Sequence, residues 1–307
     1  MSILVVGSVA FDCIKTPLGE VKNGLGGSAT YFSLAASFFS KVNLVAVVGD
    51  DFTASHEALF HKHGVDLRGL QRRPGKSFFW SGEYGENLNE CVTRDTQLNV
   101  FAEFAPEIPR EYQSTEFVFL ANIDPTLQHA VMRQVKKPKL VALDTMNYWI
   151  HHTPEELRKT LRLVDLLMIN DNEARLLTGQ SNVVAAAEKI LTLGPRTLVV
   201  KRGEYGVSMF RKGSTFVAPA FPLKRVCDPT GAGDSFAGGF MGYLAATGAV
   251  NEANLRRAVV YGSVMASFKV EDFTFKRLLG LRRSEIDGRF RQFEKLTHFD
   301  GNSRKPL

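Results

Sequence analysis

The sequence predicts an α/β fold: a doubly wound, mostly parallel sheet flanked by helices, with a small β lid. Three observations carry that prediction. Short β-branched runs alternate with helical stretches nearly throughout, and several runs are apolar on both faces, as strands covered by helices on each side must be. Two segments break the rhythm and read as extended chain. The strand runs are "ILVVG" (3–7), "NLVAVVG" (43–49), "FVFLA" (117–121), "KLVALD" (139–144), "DLLMIN" (165–170) and "TLVVKRG" (197–203). Helical periodicity covers 28–39, 53–63, 126–135, 154–163, 172–178, 182–193, 232–247 and 251–268. Such sheets place their ligand crevice beyond the carboxyl ends of the strands. Asp12, Gly49, Asp144, Asn170 and Gly203 are expected there. The rhythm-breaking segments, approximately 10–24 and 76–101, read as a lid inserted in a single domain spanning 1–307. The second has turn signals at Gly82, Gly85 and Asn87-Leu88-Asn89.

Composition narrows the function classes. A hydrophobic fraction of 44% with 23% charged residues suits one large domain. No run of eighteen apolar residues exists, so a membrane span is not expected. The start "MSILVVGSVAFDC" has no basic segment before its apolar run, which argues for a buried strand over a signal peptide. Cys13, Cys91 and Cys227 are far apart and match no metal spacing, as expected of reduced thiols in a cytoplasmic protein. A net charge of +6 permits anionic partners, but the basic pairs are scattered and no nucleic-acid motif accompanies them. The expected partners are therefore small anionic molecules, not nucleic acid. "HKH" (61–63) and His151-His152 lack Cys or carboxylate companions at ligand spacing. "GKS" (75–77) lacks the upstream glycine of a P-loop, because Leu70 stands where that glycine is required.

The chemistry concentrates in "DPTGAGDSFAGGF" (228–240), where Asp234 follows Gly231, Ala232 and Gly233 just as a helix begins. The first N–H groups of a helix have no internal partners and, with the helix dipole, attract anions. A carboxylate there repels the anion the turn attracts. The arrangement makes sense if the acid takes a proton from a hydroxyl that attacks a phosphate. A helix-terminal carboxylate favouring the dipole explains Asp234 but not the small residues before it.

This stretch resembles the C-terminal signature of the ribokinase-like, or PfkB, carbohydrate kinases. The resemblance runs over essentially the whole chain. It includes "ILVVGSVAFD", "GLGGSATYFSLAASFF", "VVGDDF" with "HGVDL", "NDNEARLLTG" and "VVKRGEYGV". It implies an ATP- and magnesium-dependent phosphotransferase in which Asp234 is the general base. The amides of Gly231, Ala232 and Gly233 would stabilise the transferring phosphoryl group. Asn170 and Glu173 would position magnesium, largely through water, although a helix cap with a surface Glu explains the same spacing. Lys201, Gly203 and Gly206 would line the nucleotide, a plain β-turn being the alternative. Asp12 and Gly26-Gly27 would meet the acceptor.

The pattern also departs from the family. Tyr31 stands where family members usually carry Asn, and it would stack on a sugar or base, or narrow the pocket. Asp144 and Asn147 are further acceptor-pocket candidates, with loop stabilisation as the alternative. Asp228 and Thr230 resemble a monovalent-cation (K+) site, but its usual glycine-containing partner loop here reads "KVEDFTF" (269–275). The implied acceptor is a sugar, with a nucleoside as the alternative. A homodimer formed through the lids is a family expectation. The competing class is a non-catalytic nucleotide-sensing or RNA-associated protein on the same fold.

Overall fold

The computed structural model describes residues 1–298. β1 (Ser2–Val6) is followed by a hairpin of β2 (Ala10–Thr16) and β3 (Gly19–Gly26). α1 (Ser28–Ala36) leads into β4 (Lys41–Val48), and α2 (Ala54–Lys62) into β5 (Val65–Arg72). A second excursion forms β6 (Phe78–Tyr84) and β7 (Cys91–Gln97). The chain then alternates through β8 (Phe117–Leu120), α3 (Pro125–Met132), β9 (Leu140–Asp144), α4 (Asn147–His152) and α5 (Pro154–Leu161). It continues as β10 (Leu166–Asn170), α6 (Asp171–Thr178), α7 (Val183–Leu191) and β11 (Thr197–Lys201). β12 (Val207–Arg211) and β13 (Ser214–Ala218) close the sheet edge. Four helices end the described chain: α8 (Ala232–Thr247), α9 (Glu252–Lys269), α10 (Lys276–Leu279) and α11 (Arg283–Thr297). None is long and apolar enough to cross a membrane, nor is any other described helix.

The main sheet has nine strands in the order β13-β12-β11-β10-β9-β8-β1-β4-β5. It is parallel from β11 to β5, and only β12 and β13 run antiparallel to their neighbours. Two cores form because side chains alternate across a strand. Ile3 and Val5 pack with α1, α8 and α9, whereas Leu4 and Val6 pack with the helices of the other face. α8 is wedged closely between α1 and α9. A Cβ at Gly238 would collide with the Phe32 carbonyl, and one at Gly239 would come within 2.7 Å of the Tyr261 carbonyl. The small residues of this helix therefore serve helix packing.

The rhythm-breaking segments form a separate four-stranded sheet, β3-β2-β6-β7. β2 pairs parallel with β6, so the two excursions lie side by side although they are distant in sequence. Six helices and strands escape the sequence-level pattern: β5, β12, β13, α4, α10 and α11.

Candidate active site

The strand ends converge as expected of a doubly wound sheet, with one change of position. Asp144 and Asn170 terminate β9 and β10, and Lys201 terminates β11 in register with Asn170. Asp12 does not follow β1; it lies within β2 of the smaller sheet. The β2–β3 pairing shifts register between Asp12 and Ile14, which re-aims the strand as a bulge does. Asp12 is only 3% exposed, and any side chain at Gly26 would collide with its carboxylate. That collision is a direct reason for the glycine.

Gly231 opens α8 in the left-handed region at φ 73°, a conformation glycine adopts without penalty. The Ala232 N–H donates to the Pro229 carbonyl at 3.1 Å and is therefore spent within the turn. Among the described residues no such partner takes the amides of Gly231 and Gly233. The expected three-amide anion turn thus offers two free amides at these positions. A Cβ on Gly233 would sit 3.0 Å from the Lys201 ammonium, so the cation flanks the turn closely.

Charge around the turn is arranged in buried pairs. Lys201 Nζ is 2.9 Å from Asp144 Oδ2, with side chains 18% and 7% exposed. Burial works against the Lys201 charge, but Asp144, Glu173 and Asp234 together raise its pKa above the ordinary 10.5. Asn170 and Glu173 form a capping box, each amide donating to the other's side chain at 2.8 Å. The helix-cap reading of this pair holds, yet Glu173 is buried and not a surface residue. Burial, then Asp144, lift Glu173 to about 7. Among the described residues no hydrogen bond engages its second oxygen. That oxygen suits a hard cation held mostly by water and phosphate.

Burial lifts Asp234 to about 7, helped by Asp144 and Asp12 and opposed by Lys201. Asp12 is also lifted to about 7, by burial first, while the Gly27 amide resists the shift. Both acids hold their protons well above the ordinary value of 3.8. Between about pH 4 and 7 the folded chain therefore binds more protons than the unfolded one. The stability they contribute is present at low pH and lost as pH rises through that window. Asp12→Asn should accordingly raise the melting temperature more at pH 8 than at pH 5. The ascending limb of kcat/KM, expected near pH 7, should move to lower pH in the same variant, because the Asp12 charge is one cause of the Asp234 shift. An unmoved limb would separate the two acids. The limb belongs to the pair and to neither alone.

Other expected residues take less expected places. Tyr31 is 1% exposed, with its ring against Gly231 and edge-on to Phe275. The ring leaves no open face for a sugar or base to stack on, so Tyr31 is a wall of the site. Asn147 lies exposed on the first turn of α4. Asp228 is fully buried and is paired with Lys269 Nζ at 2.8 Å. Burial lowers the Lys269 pKa, against the pull of Asp228 and Asp12. Thr230 Oγ1 donates to the Tyr84 hydroxyl of β6 at 3.1 Å. The smaller sheet also reaches the nucleotide-loop candidates. A Cβ at Gly203 would collide with Asn89, and Asn89 Nδ2 lies 3.5 Å from Glu204 Oε1. Gly206 abuts the Ala218 carbonyl at the end of β13. Sequence reasoning named the 269–275 loop beside Asp228 but not the part Lys269 plays in it, and it missed Tyr84. A lone lysine closing the apolar run "VMASFK" was the available signal for Lys269.

The pfkB family carbohydrate kinase model matches residues 1–274. The chain belongs to this family. It is therefore a phosphotransferase of the sugar and nucleoside kinases. It is 30% identical over 248 residues to a cytidine kinase of Thermococcus kodakarensis, covering 78% of this chain and 87% of that one. It is 31% identical over 302 residues to a ribokinase of Haemophilus influenzae, covering 88% and 92%. A fructokinase of Vibrio cholerae, solved with fructose, ADP and a potassium ion bound, superposes with a TM-score of 0.79. That match is 19% identical and covers 94% of this chain and 98% of the other. It shares the ribokinase-like fold.

Proposed function

We propose that this pfkB kinase transfers the γ-phosphoryl group of ATP to the primary hydroxyl of a ribosyl compound, with a nucleoside as the first candidate and free ribose as the second. The observation that carries the reading is that Asp234 stands in the first turn of α8, directly after the free amides of Gly231 and Gly233, with burial lifting its carboxyl to about 7. The acceptor oxygen forms its bond to the γ-phosphorus, its proton passes to Asp234, and ADP leaves. The amides of Gly231 and Gly233, with the Lys201 ammonium, face the charge on the transferring oxygens. Asn170 and Glu173 would hold magnesium, which would neutralise phosphate charge in the transition state. Asp12 accepts hydrogen bonds from acceptor hydroxyls. The four-stranded sheet serves as a lid that excludes water, which limits wasteful hydrolysis. The ribosyl assignment is supported by relatives named cytidine kinase and ribokinase, whose acceptors share a ribose ring.

The test is ADP formation above the ATP-only rate with ribose, fructose, cytidine and adenosine as acceptors. Nucleosides and ribose should exceed fructose. A panel that stays at background sinks the catalytic reading, and a fructose preference moves the acceptor class. With the best acceptor, Asp12→Ala should raise acceptor KM roughly ten- to hundredfold while leaving the KM for ATP nearly unchanged. A hydrogen bond to a charged group is worth about 1.5–3 kcal/mol. Equal rises in both KM values would place Asp12 outside the acceptor site.

A further inference from the structure

The buried ion pair beneath the anion turn has no part in the reading above. Lys269 ends α9 and is 0% exposed. Its ammonium lies 2.8 Å from Asp228 Oδ2 and donates to the Asp228 carbonyl at 2.7 Å. Its remaining side faces the Tyr31 ring, 5.5 Å from the centroid. Both carboxylate oxygens of Asp228 are already engaged. Its Oδ1 accepts from the Thr230 amide and its Oδ2 from the Thr274 amide, each at 2.8 Å. Thr274 takes φ 53° here, a region that β-branched residues rarely enter. The fold accepts strain where that amide reaches Asp228. The Cys227 amide is tied to the Val270 carbonyl at 2.7 Å, so the start of the turn is bound to the end of α9 twice.

These residues do not fit a monovalent metal ion. The Asp228 carboxylate and carbonyl, the oxygens such an ion would use, already hold an ammonium. Thr230 Oγ1 is turned to Tyr84. A second cation beside a buried first one would be repelled, since Coulomb energies are large where water is excluded.

We propose that Lys269 is the resident cation of the anion turn: a positioning residue whose ammonium replaces the monovalent ion, so that turnover needs none. It acts through Asp228. Held at its carboxylate and carbonyl, Asp228 fixes the Thr230 amide and hence the aim of the Gly231 and Gly233 amides. The same charge, 5.5 Å from the centroid of the Tyr31 ring that packs against Gly231, favours an anion on the turn. The inference rests on the phosphotransfer reading for its kinetic part only.

The test compares potassium, ammonium and choline chlorides at equal ionic strength, with wild type and Lys269→Ala. Wild-type kcat and melting temperature should agree within about twofold and about a degree among the three salts. Lys269→Ala empties the ammonium position, and kcat should fall by about 10²-fold, in the range of losing one oxyanion donor. Potassium or ammonium, but not choline, should then restore at least tenfold of kcat and raise the variant's melting temperature. The melting series reads the cation site without turnover, so an inactive wild type would sink the proposed function and leave this inference testable. Where Lys269→Ala does not fold, Lys269→Arg takes its place and should stay indifferent to the salt. Saturable stimulation of the wild type by potassium overturns the proposal. A loss in Lys269→Ala that neither cation restores, with no cation-dependent melting shift, overturns it equally.

Discussion

Asp234→Asn should lower kcat by at least ~10²–10⁴-fold, the usual worth of a general base. The amide keeps the shape of the side chain but cannot take the acceptor proton, and its N–H groups point donors where the hydroxyl must donate. Affinity for the magnesium nucleotide should be kept or slightly improved, since a negative charge beside the triphosphate is gone. Stability discriminates between roles. If Asp234 served only the helix dipole, its loss would cost roughly 0.3–1 kcal/mol. Its carboxyl is lifted to about 7 by burial, so the penalty on the charged form outweighs any gain from the dipole. At pH 8 the Asn variant should therefore melt no lower than wild type. Steady-state kinetics, nucleotide titration and a melting curve at pH 8 check the three outcomes. A kcat within a few-fold of wild type together with a lower melting temperature would make Asp234 a cap and remove the centre of the proposed mechanism.

Lys201→Met should be the most damaging substitution outside the turn, and a second substitution should repair only part of it. Lys201 and Asp144 are a buried pair 2.9 Å apart. Removing one partner of such a pair costs about 3–5 kcal/mol because the other is left charged without compensation. The loss also spreads, because the Lys201 charge opposes the upward shifts of both Glu173 and Asp234. Both carboxyls should hold their protons to higher pH in the variant, so the fall in kcat should be steeper below pH 7 than above it. The double variant Asp144→Leu, Lys201→Met replaces the pair by apolar groups and should recover most of the lost stability, as such replacements are often near neutral. Activity should stay down by about 10²-fold or more, because the cation beside Gly233 is still absent. A double variant that regains both stability and kcat would make the pair a structural brace. Chemical denaturation of the four proteins in the cycle, with kcat measured across pH, decides the matter.

Much of this architecture is legible in the sequence. The short apolar, β-branched runs of β1, β4, β8, β9, β10 and β11 read as strands, several of them covered on two faces. The "GAGD" stretch marked a glycine-led helix start, where unpaired amides are expected. The elements that escaped did so for different reasons. β5, "VDLRGLQR", borrows its stability from pairing with β4, and its own alternation is interrupted by Gly69. α11 is strongly polar and buries only Ile286 and Phe293. α4 is too short for periodicity to register, and Asn147 at its start is exposed.

By itself, the sequence determined the layered α/β fold, the position of the glycine turn that opens α8 and the acid that follows it. Each is written in local patterns: alternation, small residues, and the unpaired amides of a helix start. The tertiary structure alone decided which charges face one another. Nothing local says that Lys269 lies under Asp228, 41 residues away, or that Lys201 pairs with Asp144 across 57. It also decided that Ala232 spends its amide on Pro229, and that Tyr31 is sealed against Gly231 with no face left open. The physical reason is that an ion's state depends on how much water it loses and which charges it meets, and both are set by chain segments far away in sequence. The residue types of this site were readable in one dimension; their protonation and pairing exist only in three.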